Sequence, residues 1–226
     1  MTRRMIALIP LSLLLAGCFS QQSAPTNYYV LEFDTSVAGA AASGAATAGA
    51  AGAAGAAGAA GPEAGPAVIV QDAEVAPMFD RRQLLQRLEG PLVRYRSGDL
   101  WAVSPSTAVA DLVRDGLLHS GRFASVNEGR NAAGRYQAVI RIEELTHYCC
   151  AAAVDAEVAG ELLLYDLAEP GSRGGDAGAV TPVTRHEFSR REELSDETPR
   201  AFVDAVARIL SEELVAFLAG IPDELE

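Results

Sequence analysis

Residues 136–148 read YQAVIRIEELTHY and residues 154–164 read VDAEVAGELLL. In the first stretch Ala138, Ile140 and Ile142 fall on one side of an extended chain, and Gln137, Arg141 and Glu143 fall on the other. In the second, Ala156, Val158, Gly160, Leu162 and Leu164 line a single side. Successive side chains of a strand point to opposite faces, so both stretches read as strands with one face in a core. Thr181 to Leu194 carries Phe188 among charged residues, the pattern of a solvated face or an edge. Two helices accompany these strands. Ser104 caps the first, with Pro105 at its first position, and Val109, Leu112, Val113, Gly116 and Leu117 share a face before Gly121 ends it. Thr198 and Pro199 open the second, where Phe202, Val206, Ile209, Leu210, Leu214, Phe217 and Leu218 form a stripe. The predicted fold is α/β in the α+β sense: a single domain with a mainly antiparallel sheet and two amphipathic helices on one face.

Upstream the signals are weaker. Tyr28–Phe33 alternates Tyr29, Leu31 and Phe33 against Tyr28, Val30 and Glu32. Val68–Val75, between Pro66 and Pro77, is a further strand candidate, and Phe123–Val126 a brief one. Asp80–Leu88, with Leu84, Leu85 and Leu88, has the pattern of a short helix. Ser97-Gly98-Asp99 reads as a turn between short strands at Leu92–Tyr95 and Leu100–Val103. Residues 36–66 are dominated by Ala and Gly, with Gly49, Gly52, Gly55, Gly58 and Gly61 at period three. A collagen reading fails because the repeat lacks proline, and helix is disfavoured because each interior Gly costs about 1 kcal/mol relative to Ala. A disordered insert inside the domain remains, and it requires Tyr28–Phe33 to pair with the main sheet. Ser172–Ala179 reads as a Gly-rich loop.

The first residues have a different logic. Arg3 and Arg4 precede an apolar run from Met5 to Ala16, closed by Leu15-Ala16-Gly17-Cys18. This is a secretory signal layout, and the run is too short for a hydrocarbon core that takes about 20 helical residues to cross. The last four residues resemble the lipobox of bacterial lipoproteins. That resemblance implies residues 1–17 as signal peptide, and Cys18 as the acylated first residue of the mature chain. Diacylglyceryl attachment with a further amide-linked acyl chain such as palmitate makes release negligible, since each buried methylene contributes about 0.8 kcal/mol. Phe19, where Asp commonly retains lipoproteins at the inner membrane, implies the outer membrane, facing the periplasm. Residues 18–27 form a lipidated tether of at most about 30 Å, and 28–222 form the domain, interrupted at 36–66.

The chain's net charge is −12, and all 18 basic residues are Arg. Such acidity argues against nucleic acid and against electrostatic adsorption to anionic lipid. Beyond Cys18 only Cys149 and Cys150 carry thiols, so no disulfide framework holds the fold.

In order along the chain, the lipobox Cys18, the Tyr28-Tyr29-Val30-Leu31 strand and Phe79-Asp80-Arg81-Arg82-Gln83-Leu84-Leu85 are followed by Tyr95 and Trp101. The next helix then leads into Ser120-Gly121-Arg122-Phe123 and Val126. Together these resemble the ABC-type transport auxiliary lipoproteins, the PqiC-like proteins that accompany MCE-domain lipid transporters. The resemblance covers most of the mature chain outside 36–66; the Ala/Gly insert and Cys149-Cys150 depart from it. It implies a compact α/β domain without catalytic residues. The implied partners are an MCE-domain protein and an ABC transporter permease/ATPase complex moving phospholipid or another hydrophobic substrate. It also allows a ring-forming homo-oligomer. A stand-alone envelope lipoprotein serving peptidoglycan or secretion machinery is the rival reading.

Individual residues are weighed against plainer roles. Tyr28 and Tyr29 suit a membrane-interface or partner contact, or simply a strand with one tyrosine per face. Trp101, the only tryptophan, suits an interface anchor or core packing at a strand end. Cys149 and Cys150 beside His147 invite a metal, but adjacent strand residues diverge, so no metal site is expected. His119 near a helix end and His186 among charges have no evident partners in sequence. No Gly-x-Ser-x-Gly, P-loop, metal-binding His pair or dinucleotide fingerprint occurs. Glu143-Glu144 and Glu192-Glu193 read as solvated edges and not as an acid–base pair. The chain is therefore read as a non-enzyme without cofactor, apart from covalent lipid on Cys18.

Overall fold

The computed structural model describes residues 25–37, 65–129, 132–149, 154–168, 181–222 and 225. In chain order these form β1 (Asn27–Tyr29), β2 (Ala67–Val70), β3 (Glu74–Val75), β4 (Gln83–Arg87) and β5 (Val93–Trp101), then helix α1 (Pro105–Ser120). They continue with β6 (Ser125–Glu128), β7 (Tyr136–Tyr148), β8 (Asp155–Asp166), β9 (Thr184–Glu193) and helix α2 (Pro199–Ala219). The signal region, the Ala/Gly stretch from 38 to 64 and the loop expected at Ser172–Ala179 lie outside the described residues.

Strand β7 is the spine of one nine-stranded sheet. Along one edge it pairs antiparallel with β8 from Tyr136↔Asp166 to Tyr148↔Asp155, and β8 pairs antiparallel with β9. Along the other edge three short strands follow one another, each parallel to it: β2 at Tyr136–Ala138, β3 at Arg141–Ile142 and β4 at His147–Tyr148. The sheet then forks. Beyond β2 lies β6, parallel; beyond β4 lie β5, antiparallel, and β1, parallel to β5. The long ladders are antiparallel, as expected, and five short ones are parallel. Val68–Val75 thus divides into two strands. The sheet also takes up the Tyr28–Phe33 segment through Asn27–Tyr29, with Leu31 buried in irregular chain beyond it.

A bulge resets the phase of β7. Ile142 faces Gly160 but Glu144 faces Ala159, so Glu143 is an extra, exposed residue. Before it Ala138, Ile140 and Ile142 point into the core; after it Leu145 and His147 do. Gly160 lies opposite the bulge, where a Cβ would come within 2.1 Å of the Arg141 carbonyl oxygen. Close backbone approach explains the glycine.

Two expectations fail on the β4–β5 hairpin. Asp80–Leu88 is not helical: Gln83–Arg87 is strand, with Leu84, Leu85 and Gln86 all buried. Covered on both faces, the segment shows no alternation, and its leucines mimic a helical stripe. Ser97-Gly98-Asp99 is not a turn either, because β5 runs through it. Gln83 faces Leu100 while Leu85 faces Tyr95, so the extra residues of β5 are absorbed in a register shift. The chain reverses instead around Gly90, at φ 72°, where the Leu88 amide donates to the Leu92 carbonyl at 2.8 Å.

Both helices begin as read. The Ser104 hydroxyl accepts from the Thr107 amide and that of Thr198 from the Ala201 amide; α1 closes at Gly121 in the left-handed region. Helix α1 packs on β2, β3 and β6, α2 on β8 and β9, and the two on each other. All seven residues of the α2 stripe are buried, and full burial of each such side chain contributes about 1.5–3 kcal/mol. Arg122 binds the end of α2, donating to the carbonyls of Leu218 at 2.9 Å and of Ile221 and Pro222 at 3.0 Å. A cation there satisfies acceptors that the helix itself leaves open.

Candidate functional site

The residues singled out at the tether end converge on one corner. In the β1–β5 ladder Tyr28 faces Leu100 and Tyr29 faces Trp101, so the two tyrosines point to opposite sides. Tyr28 is 59% exposed, with the Arg82 guanidinium 5.7 Å from its ring centroid. Tyr29 is half-buried, and its hydroxyl donates to Asp99 Oδ1 at 3.1 Å. Asn27 Nδ2 donates to the same oxygen at 2.9 Å, and Arg96 Nε to Oδ2 at 2.6 Å. Asp99 therefore latches β1 to β5. Burial would raise its pKa, but the hydrogen bonds from Asn27 and Arg96, with the Arg96 charge, hold it below the usual carboxylate range. Burial and the neighbouring Asp99 push the Tyr29 hydroxyl up.

Trp101 takes the core-packing alternative. It is 2% exposed and tilts against Phe202 of α2, centroids 6.3 Å apart. Only Tyr28 of the three presents its ring to solvent. Cys18 lies outside the described residues.

Next to this corner a polar chain that the sequence reading missed runs from exposed Arg94 to buried Gln86 and His147. Arg94 Nη2 donates to Gln86 Oε1 at 2.9 Å, and Gln86 Nε2 stands 3.3 Å from His147 Nδ1. Arginine has no acceptor, so it fixes the amide with its oxygen outward and its NH2 toward the imidazole. His147 Nδ1 must then accept, which leaves the proton on Nε2. That nitrogen is buried, with no partner among the described residues. Burial first, and the Arg96 charge second, push the His147 pKa down to about 4. The signal available in sequence was a histidine at an inward strand position once the bulge is counted.

Other candidates take structural roles. Cys149 is buried beyond the end of β7, and Cys150 is outside the described residues. Among the described residues no group of three or more His, Cys, Asp or Glu is placed to hold a metal ion. His119 Nδ1 meets the Asp115 carbonyl at 2.7 Å, and His186 Nε2 meets Glu213 at 2.7 Å. Glu144 lies 3.9 Å from Arg87, and Glu192 pairs with Arg208. Neither adjacent carboxylate pair forms a dyad. A depression of about 480 Å³ beside α1 holds Asp72, Asp111 and Glu128, but Arg114 is ion-paired to the latter two. None of the described helices is long and apolar enough to cross a membrane.

Comparison with known families decides what kind of molecule this is. Residues 49–217 match the family described as ABC-type transport auxiliary lipoprotein component. The chain belongs to that family. The match spans β2 through nearly all of α2, so it rests on the domain and not on the N-terminal signal. No curated protein matches the sequence of this auxiliary lipoprotein. Its fold is similar to the crystal structure of protein XCC0632 from Xanthomonas campestris, of family DUF330. The two are 17% identical, covering 71% of this chain and 86% of that one, with a TM-score of 0.55. An uncharacterized protein of known structure is similar at 10% identity, over 85% of this chain and 96% of that one, with a TM-score of 0.57. At such identities the likeness is one of fold.

Proposed function

We propose that this auxiliary lipoprotein is a non-catalytic docking component of an ABC-powered, MCE-type system that carries phospholipid or another hydrophobic substrate between membranes. Acyl chains on Cys18 hold it at the inner leaflet of the outer membrane, facing the periplasm. The domain offers a surface to the distal end of the transporter assembly. Its contribution is linkage. A tether of at most about 30 Å confines that surface to a thin layer beside the bilayer, and each encounter then occurs at raised effective concentration.

The observation that carries this reading is the family match across residues 49–217. The side-chain arrangement agrees with it, since the buried polar groups at the tether corner latch strands together. Replacing Cys18 by Ala tests it. The variant is expected to fold, to leave the membrane fraction and to lower lipid-transport function, while the lipidated parent co-purifies with an MCE-domain partner. Full transport from the soluble variant would overturn the proposal.

A further inference from the structure

The chain is acidic, yet one limb of its sheet is not. Residues 76–103, which carry the β4–β5 hairpin, contain Arg81, Arg82, Arg87, Arg94 and Arg96 against Asp80, Glu89 and Asp99. Among the described residues outside this limb, Arg114, Arg135, Arg141, Arg185, Arg190, Arg191, Arg200 and Arg208 each lie against a carboxylate, and Arg122 is taken up by the carbonyls at the end of α2. Arg81, Arg82 and Arg94 are exposed and have no carboxylate partner among the described residues. Arg81 rests over the Tyr95 ring at 5.2 Å, Arg82 donates to the carbonyls of Trp101 and Ala102, and Arg94 donates to Gln86. None of these contacts cancels charge.

The same limb exposes carbon. Leu92 and Val93 stand out at the hairpin tip, Leu92 at 58%, and Met78, ahead of β4, is exposed as well. Among the described residues four of the eight exposed large apolar side chains, Met78, Leu92, Val93 and Val103, belong to residues 76–103. Unpaired guanidinium groups with a protruding apolar tip are the combination that favours a bilayer surface: the cations meet phosphate, and the carbon enters the headgroup boundary. The tether leaves from here too. Pro25 lines one depression with Arg94 and Arg96, and Cys18 precedes it by seven residues, an extended reach of about 25 Å.

We propose that the β4–β5 limb is a second membrane contact, in which Arg81, Arg82 and Arg94 bind anionic lipid headgroups and Leu92 and Val93 enter the interface. The inference rests on the lipid anchor at Cys18, which fixes distance. The limb fixes orientation, turning the far end of the molecule toward the periplasm. An acidic protein partner is the competing occupant, and it is disfavoured by the tether's exit point.

The test is amide hydrogen exchange on the intact mature protein. It is reconstituted in vesicles of phosphatidylethanolamine with phosphatidylglycerol, and separately in neutral phosphatidylcholine vesicles. Amides of residues 88–96 should exchange about tenfold more slowly on the anionic vesicles, with the difference abolished by high salt and by Arg81→Glu. Leu92→Ser, at an exposed site, should weaken the same protection without changing exchange in the core of β7 and β8. Equal exchange of 88–96 on both vesicle types, or protection confined to β9, would overturn the proposal. Mass spectrometry of Cys18 separates it from the anchor reading. An unacylated chain that still sediments with anionic vesicles only, through these arginines, would overturn the anchor and support the limb. An acylated chain that sediments with both vesicles and shows no protection would do the reverse.

Discussion

The imidazole of His147 lies on the ring of Phe202, centroids 5.0 Å apart and planes 11° apart. The pair joins the C-terminal end of the sheet's spine to the first turns of α2, beneath Trp101. A carbocyclic ring such as phenylalanine would stack there too. The difference is the edge of the ring, where Nδ1 accepts from Gln86 and so ties β7 to the hairpin. Burial, with the Arg96 charge, keeps the ring neutral, and protonation would also set a second donor against the Gln86 amide.

Acid should therefore weaken the fold in a defined window. In the unfolded chain this histidine takes its proton near 6.5, and in the folded chain burial delays it to about 4. Between those values the unfolded state binds more protons. The stabilisation is complete above pH 6.5, declines as pH falls through the window and is gone below 4, for a total of about 3 kcal/mol. Urea unfolding at a series of pH values should show that decline, and His147→Phe should flatten it whatever the variant's stability at neutral pH. A slope unchanged in the variant would refute the assignment.

Gly160→Ala should be costly for its size. The added methyl would lie 2.1 Å from a backbone oxygen that is held by the β7 bulge, so the ladder itself has to move. We expect a loss of about 3 kcal/mol or failure to fold, read as a lower urea midpoint. Ala159→Gly, one residue along and half-buried, serves as the comparison and should cost less.

Asp99→Ala should release β1 while sparing the core. It removes the acceptor shared by Asn27, Tyr29 and Arg96, and such charged hydrogen bonds contribute about 1.5–3 kcal/mol each. Exchange of the 27–29 amides should accelerate and protease cleavage near Pro25 should increase, with tryptophan emission from buried Trp101 unchanged. Because the carboxylate's pKa is lowered in the fold, the latch is present above its unfolded value near 3.8 and weakens as pH falls below it. Undisturbed protection of 27–29 in the variant would show that the ladder to β5 alone suffices.

What the sequence made legible follows from how each element is buried. Strands β7 and β8 and both helices bury one face or one stripe, and their periodicity names them. The hairpin β4–β5 is covered on both sides at Leu84, Leu85 and Gln86, so periodicity fails there. Its register shift places Ser97-Gly98-Asp99 in a strand where the same tripeptide elsewhere makes a turn, because Asp99 finds three donors brought by distant segments. The parallel pairing of β2, β3 and β4 with the spine was equally hidden, since short strands carry no mark of their neighbour's direction. For the tether corner, composition misled in one respect. A net charge summed over the chain conceals that three arginines on one limb have no carboxylate partner among the described residues.

Among the described residues the outermost strands of the forked sheet are β1 with three residues, β6 with four and β9 with ten; β3 and the Val93–Gly98 part of β5 are also paired on one side alone. Strands β1 and β6 are too brief to zip onto another chain. Strand β9 alternates Arg185, Glu187, Arg190 and Glu192 among its side chains, a guard that makes strand addition from a neighbour unfavourable. A second copy approaching these outermost strands therefore meets a guarded margin at β9 and short ones at β1 and β6.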